Sequence, residues 1–139
     1  MQVPRTPFTL HIQHTPSREE KEEQRALALK SKGNELMSGF RFSEALGVYS
    51  EALDALPLIS EQLKSQLFGN RALCLIKLGE YSKAIQDCDV ALNLDSHYVK
   101  ALLRRALCSE KLEEFSQARK GLFSWNRSHD LQISNESSS

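Results

Sequence analysis

The chain has 139 residues, a length that suits a single domain with a modest core. Its 18 basic residues balance 18 acidic ones, so it lacks the basic excess typical of proteins that bind nucleic acids or anionic membranes. No stretch approaches the roughly 20 apolar residues of a membrane helix, and we expect a cytoplasmic protein, with the nucleus as a further compartment.

Residues 1–17 contain three of the four prolines and no helical period, and we predict that this segment is disordered. His11 and His14 have no neighbouring cluster of Cys or acidic residues, so we expect no metal site there. Ser17 followed by Glu20 is typical of a capping box, and it predicts that the first helix begins at this point.

From Ser17 to about Trp125 the chain alternates between helical patterns and short breaks. Two apolar stripes have helical spacing, and they comprise Ala45, Tyr49, Ala52 and Leu56, and Tyr81, Ala84, Cys88 and Ala91. Serines that suit N-caps and glycines that suit turns separate the stretches. The pattern predicts an all-α domain over residues 18–125, followed by a polar tail, residues 126–139.

Two of the helical stretches repeat each other, and a third is a weaker copy. Each has an aromatic residue followed three positions later by alanine: Phe42 with Ala45, Tyr81 with Ala84, and Phe115 with Ala118. The last two alanines are 34 residues apart, and the first two are separated by that period plus five residues. We place the extra residues around Ser60–Lys64. Self-similarity at such a period predicts a helical solenoid.

These motifs resemble the tetratricopeptide repeat (TPR), whose period is 34 residues. The resemblance covers about residues 26–125. It is carried by the aromatic residues above and by small residues that let the two helices of a repeat approach closely: Gly33, Ala45, Ala52, Ala72, Ala84 and Ala91. It implies an all-α solenoid of three helical hairpins, in which the first helix of each repeat lines a concave face.

Polar residues on the predicted first helices form a strip of hydrogen-bond donors: Lys30, Asn34, Asn70, Lys100 and Arg104. Lys30 and Asn34 are four residues apart and share a helix face, and the same holds for Lys100 and Arg104. No Asp or Glu interrupts the strip in the sequence. Ammonium, amide and guanidinium groups suit an anion that has more than one carboxylate.

The same five residues are similar, position for position, to the two-carboxylate clamp of TPR co-chaperones. That clamp binds the Glu-Glu-Val-Asp tail of the 70-kDa and 90-kDa heat-shock chaperones. The resemblance implies that the two carboxylates of the final Asp are held by Lys30, Asn34, Asn70 and Lys100, and that Arg104 reaches an upstream group. Candidates for further groove lining are Met37, Leu73, Ile76 and Lys77. We expect a monomeric interaction module whose partner is a chaperone tail.

The third copy departs from the family pattern, in which a seventh helix caps the last repeat. Gly121 weakens its second helix, and Trp125 stands where the other copies have alanine. We expect the capping helix to be absent or degenerate. Two explanations stay open. One is a fold-back of the apolar residues near the end, Leu122, Phe123, Trp125, Leu131 and Ile133. The other, which we favour, is a truncated or alternative form of a longer protein.

The sequence is also compatible with functions other than the chaperone clamp. The chain could be a general TPR scaffold for another acidic peptide, or a fragment of a larger enzyme or import receptor. The neutral charge disfavours RNA binding through Lys100, Arg104, Arg105 and Lys111. We find no catalytic set, phosphate loop or metal cluster, and expect neither enzymatic activity nor a cofactor. Cys74, Cys88 and Cys108 form no C-x-x-C pair and are predicted to be buried thiols in a reducing compartment.

Overall fold

The computed structural model describes residues 14–55 and 57–137. Within those ranges the chain is helical and has no strand. The helices are α1 (Arg18–Ser38), α2 (Phe42–Leu53), α3 (Glu61–Lys77), α4 (Tyr81–Leu94) and α5 (Val99–Ser137). Most of the segment predicted to be disordered, residues 1–13, lies outside the described residues, as do Leu56 of the first stripe and His11.

The predicted start of the first helix is confirmed. The Ser17 hydroxyl accepts the Glu20 backbone N–H at 3.2 Å, and the Glu20 carboxylate accepts the Ser17 N–H at 2.8 Å. Ser60 caps α3 in the same way by accepting the Leu63 N–H. The other four serines that suit N-caps by sequence do not cap a helix. Helices α2 and α4 begin one residue earlier and enclose Ser43 and Ser82 in their first turns, Ser96 lies in the loop before α5, and Ser116 lies inside α5.

Two helical hairpins, α1 with α2 and α3 with α4, form the body of the fold and bury the predicted small residues. Ala45, Ala52, Ala72, Ala84 and Ala91 are fully buried. These contacts confirm the prediction that small side chains let paired helices approach closely. The hairpin turns use left-handed backbone at Phe40 and Gly79, with φ of 58° and 79°.

The extra residues between the first two repeats lengthen α3. Relative to the start of α5, α3 begins one turn earlier, at Glu61–Lys64. The Glu23 carboxylate accepts both the backbone N–H and the hydroxyl of Ser60, each at 2.7 Å. The longer helix is thereby attached to α1 of the preceding hairpin.

The third repeat differs from the predicted hairpin, because α5 is one continuous helix through residue 137. Glu113 stands where the other two repeats have left-handed Phe40 and Gly79. Left-handed backbone costs a non-glycine residue about 1–2 kcal/mol. In the first repeat, close packing of the returning helix offsets this cost at Phe40, and in the second repeat Gly79 avoids it. Trp125 replaces the small residue that this packing needs, so the helix continues.

The apolar residues at the end do not fold back onto the third repeat. All five are exposed on the surface of α5: Leu122, Phe123, Trp125, Leu131 and Ile133. Of the two explanations for the missing cap, stabilisation of the end by these side chains is therefore wrong for this structure. The segment predicted as a polar tail is helical up to residue 137.

Candidate functional site

Four of the five predicted strip residues line one open cavity of about 630 Å³. Lys30 and Asn34 come from α1, Asn70 from α3, and Lys100 from the first turn of α5. The cavity forms because α3 lies between α1 and α5, which places three first helices side by side. The structure thus brings together two ammonium and two amide groups that are up to 70 residues apart in the chain.

The Asn34 side chain is fixed by two neighbours. Its Oδ1 accepts the Tyr49 hydroxyl at 2.5 Å and the Asn70 Nδ2 at 3.3 Å. Because Oδ1 is engaged, the Asn34 NH₂ group is the part of the amide that offers donors to the cavity. One amide is in this way oriented by a buried tyrosine of α2.

Gln66 is a cavity residue that the sequence analysis missed. Its Oε1 accepts the Lys30 Nζ at 2.5 Å, and both side chains are half-buried. The contact holds the ammonium in place with a neutral group, so the positive charge of Lys30 is not cancelled. A signal was present in the sequence, because Gln66 precedes Asn70 by four residues, as Lys30 precedes Asn34.

Arg104 does not line this cavity. The Arg104 Nη1 donates to the backbone carbonyl of Gly69 at 2.7 Å, which links α5 to α3. Gly69 is a crowded position, because a Cβ added there would lie 2.5 Å from the Tyr98 ring. The guanidinium is half-buried, and its remaining N–H groups are those left for a ligand.

The loop before α5 contributes an aspartate and a histidine side chain to the cavity. Asp95 and His97 both line it, so a carboxylate lies beside the strip that the sequence presented as purely donors. The Asp95 Oδ1 accepts the backbone N–H of His97 at 3.0 Å, and this bond shapes the turn that leads into α5. The cavity is therefore cationic on its helices and carries one carboxylate from the loop.

None of the four candidates for further groove lining contacts this cavity. Met37 packs against the core of the first hairpin, and its Sδ lies 3.1 Å from the Cys74 Sγ. Ile76 packs against the core of the second hairpin. Leu73 is half-buried and Lys77 is exposed.

The buried tyrosine and cysteine side chains of the core are held neutral. Burial raises the pKa of Tyr49 to about 12 and the pKa of the Cys74 and Cys88 thiols to about 11. Burial also raises the pKa of Cys108. Because a thiolate is the reactive form, these thiols are inert near neutral pH and serve as small core residues. All three cysteines are free and buried, as predicted.

Two other kinds of feature are absent from residues 14–55 and 57–137. No group of three or more His, Cys, Asp or Glu side chains is arranged to hold a metal ion. None of the helices in these ranges is both long enough and apolar enough to cross a bilayer.

The chain is similar to part of a longer known protein. No protein-family profile matches it. It is 44% identical over 93 residues to human sperm-associated antigen 1, an alignment that covers 65% of this chain and 10% of that protein. The chain thus corresponds to about a tenth of the relative's length.

Solved structures give a closer match in size. The first TPR domain of Spaghetti (RPAP3), bound to the HSP90 peptide SRMEEVD, is 33% identical with a TM-score of 0.59; the match covers 70% of this chain and 76% of that one. The TPR2B domain of yeast Sti1, in complex with an Hsp70 peptide, is 27% identical with a TM-score of 0.59, covering 68% and 72%. The chain therefore belongs to the tetratricopeptide-repeat family, and the solved domains it resembles are protein-interaction domains of co-chaperones.

Proposed function

We propose that this chain is a co-chaperone or adaptor of the cytoplasm that binds the Glu-Glu-Val-Asp tail of 70-kDa or 90-kDa heat-shock chaperones in its groove. The observation that carries the proposal is the convergence of Lys30, Asn34, Asn70 and Lys100 on one cavity. Support also comes from the similar domains of RPAP3 and Sti1, which were solved with HSP90 and Hsp70 peptides.

The chemistry of the last residue of such a tail fits the cavity. A C-terminal Asp carries a side-chain carboxylate and the chain-end carboxylate within a few ångströms of each other. Lys30 and Lys100 approach from opposite sides of α3, and the two amides between them offer directed N–H donors. Charge-assisted hydrogen bonds of this kind are about twice as strong as neutral ones.

Asp95 and Arg104 influence how the peptide is positioned in the groove. The Asp95 carboxylate repels a nearby acidic side chain, so the doubled anion is expected between Lys30 and Lys100 and away from Asp95. Arg104 keeps its bond to the Gly69 carbonyl and directs its remaining N–H groups to an upstream peptide group. Polar groups placed in this way determine the register of the peptide.

Titration calorimetry with short peptides tests the proposal. Glu-Glu-Val-Asp with a free C-terminus should bind, and amidation of that terminus should weaken binding at least tenfold, because one of the two carboxylates is lost. The rearranged peptide Asp-Glu-Glu-Val has the same composition and net charge but ends in a residue without a side-chain carboxylate, so it is the control and should bind weakly. Equal affinity for all three peptides would contradict the clamp and favour a general scaffold for acidic peptides.

A further inference from the structure

Helix α5 carries two apolar surfaces that no other residue of the described part of the chain covers. The first, which we name the front face, consists of Val99, Leu103 and Ala106. The second, which we name the distal stripe, consists of Ala118, Leu122 and Trp125. Their large side chains are mostly exposed, with Leu103 at 66%, Leu122 at 68% and Trp125 at 64%. Each set has the spacing of one helix side.

The internal repeat identifies what these surfaces are. The positions equivalent to two front-face residues, Ala26 and Gly33 in α1 and Ser65 and Ala72 in α3, are buried. The positions equivalent to the distal stripe are buried as well, at Ala84, Cys88 and Ala91. The Ser65 hydroxyl donates to the Ala91 carbonyl at 3.0 Å, which pairs the two sets directly. Front face and distal stripe are the two halves of an interface that the chain builds twice elsewhere.

Within one chain these two halves cannot meet. Helix α5 is continuous from Val99 to Ser137, and Ala106 and Ala118 are separated by about 18 Å along its axis. A rigid helix keeps both surfaces in solvent. A cover for both surfaces needs both complementary halves, and a second copy of this chain offers both at once.

We propose that two copies pair through α5 in antiparallel orientation, so that the distal stripe of each covers the front face of the other. The register follows from the hairpins. Because Ser65 pairs with Ala91, Val99 of one copy lies opposite Trp125 of its partner, and Ala106 lies opposite Ala118. The two-fold axis passes close to Leu112. Such an interface is self-complementary, as closed dimers require.

Trp125 explains why pairing between copies is favoured over a closed hairpin. A turn of a few residues forces two helices to lie close together, and the first two repeats meet that demand with alanine. Two helices from separate chains are not joined by a short turn. The distance between their axes can take any value in the usual range of about 8–10 Å that the side chains between them require. The contact runs over roughly 40 Å of helix, which is long enough for the about 800 Å² per partner of a standard interface.

The pairing does not depend on peptide binding. Val99 also lines the cavity, so the Trp125 ring of the partner would lie at the edge of that cavity. Lys100 is rotated from Val99 by about 100° around the helix and stays accessible to a peptide in the dimer. The proposal departs from the monomer expected from the sequence.

Sedimentation velocity on the 139-residue chain, with reducing agent, tests the dimer. We expect twice the monomer mass, and a tenfold or greater rise in the dissociation constant for Leu122→Glu with helicity preserved by circular dichroism. Leu131→Glu is the matched control, because Leu131 is similarly exposed, at 62%, but lies beyond Trp125 and about 180° around the helix from Leu122. A monomeric wild-type chain at all concentrations, or equal effects of the two variants, would overturn the proposal.

The register has its own test. The double variant Ala106→Cys/Ala118→Cys, treated with a mild oxidant, should form a disulfide between copies and run at twice the mass without reducing agent. An intramolecular disulfide would show instead that α5 closes into a hairpin, and it would overturn the dimer.

Discussion

The Tyr49 ring occupies the space that a side chain at position 33 would fill. A Cβ added to Gly33 would lie 2.4 Å from the Tyr49 Cε1, while the hydroxyl of the same ring donates to the Asn34 Oδ1. One buried aromatic side chain thus packs α2 against α1 and orients an amide of the candidate site. Two predictions start from this arrangement.

Gly33→Ala should lower the free energy of unfolding by about 1–3 kcal/mol, the usual cost of overpacking a core. Tyr49 is fully buried and has no room to retreat from the added methyl group. Gly47→Ala is the control, because a Cβ at this exposed position in α2 meets nothing within 4 Å. That variant should gain about 0.5–1 kcal/mol from helix propensity. Urea melts of both variants measure the difference, and similar shifts would contradict the packing argument.

The chain should lose stability at alkaline pH. Burial raises the folded-state pKa of Cys88 to about 11 and that of Tyr49 to about 12, from ordinary values of 9.0 and 10.0. Folding therefore favours the neutral forms. Their contribution is complete below about pH 9 and is lost as the pH rises through 11 and 12.

Urea midpoints under reducing conditions should accordingly fall between pH 9 and 12. Cys88→Ala should flatten the decline between pH 9 and 11, and Tyr49→Phe should flatten it between pH 10 and 12. Each variant is compared with itself at pH 8, so that its overall loss of stability does not enter. A wild-type midpoint that stays constant from pH 8 to 11 would contradict the burial of these groups.

Lys100→Glu should weaken binding of the Glu-Glu-Val-Asp peptide at least tenfold, because losing a partly desolvated charge pair costs about 2–5 kcal/mol. Stability should change by no more than about 0.5 kcal/mol, since Lys100 is exposed. Arg105→Glu makes the same charge change on the outer side of α5, where Arg105 pairs with Asp89 at 2.6 Å. It should leave peptide affinity nearly unchanged. If calorimetry finds equal losses, a diffuse basic field and not a positioned clamp attracts the peptide.

Gln66→Glu should also weaken peptide binding, by about tenfold. The new carboxylate would pair with Lys30 and cancel the charge that the neutral amide now leaves available. Gln62→Glu, one turn earlier on the same face of α3 but exposed and outside the cavity, is the matched control and should bind as the wild type does. Unchanged affinity in Gln66→Glu would mean that Lys30 does not meet the peptide.

Local signals predicted much of the fold. The Ser17 capping box, the spaced alanines and the 34-residue period depend on contacts within one hairpin, and short-range pattern captures them. The continuity of α5 could not be predicted in this way, because the Phe115–Ala118 motif is present. Whether α5 turns back into a hairpin or continues depends on whether Trp125 fits between two closely packed helices.

The candidate site was predicted in part. Helical spacing identified the four residues that line the cavity, since each lies at a regular position on a first helix. Asp95 was missed because it reaches the cavity from a loop, and helical spacing says nothing about loop residues. The hydrogen bond from Arg104 to the backbone carbonyl of Gly69 was missed, because a pattern of side chains does not show which backbone carbonyls are available as acceptors. The role of these residues in binding stays a prediction.

Gly69 has a consequence for the kinetics of recognition. The Tyr98 ring packs against its backbone, and Arg104 binds its carbonyl, so the start of α5 is fixed to the middle of α3 before any ligand arrives. The distance from Lys100 to Asn70 is therefore set during folding. A peptide that binds there meets a preorganised surface, and association should be limited by diffusion and charge steering instead of by rearrangement. Its on-rate should fall with ionic strength and depend little on solvent viscosity beyond the diffusional effect.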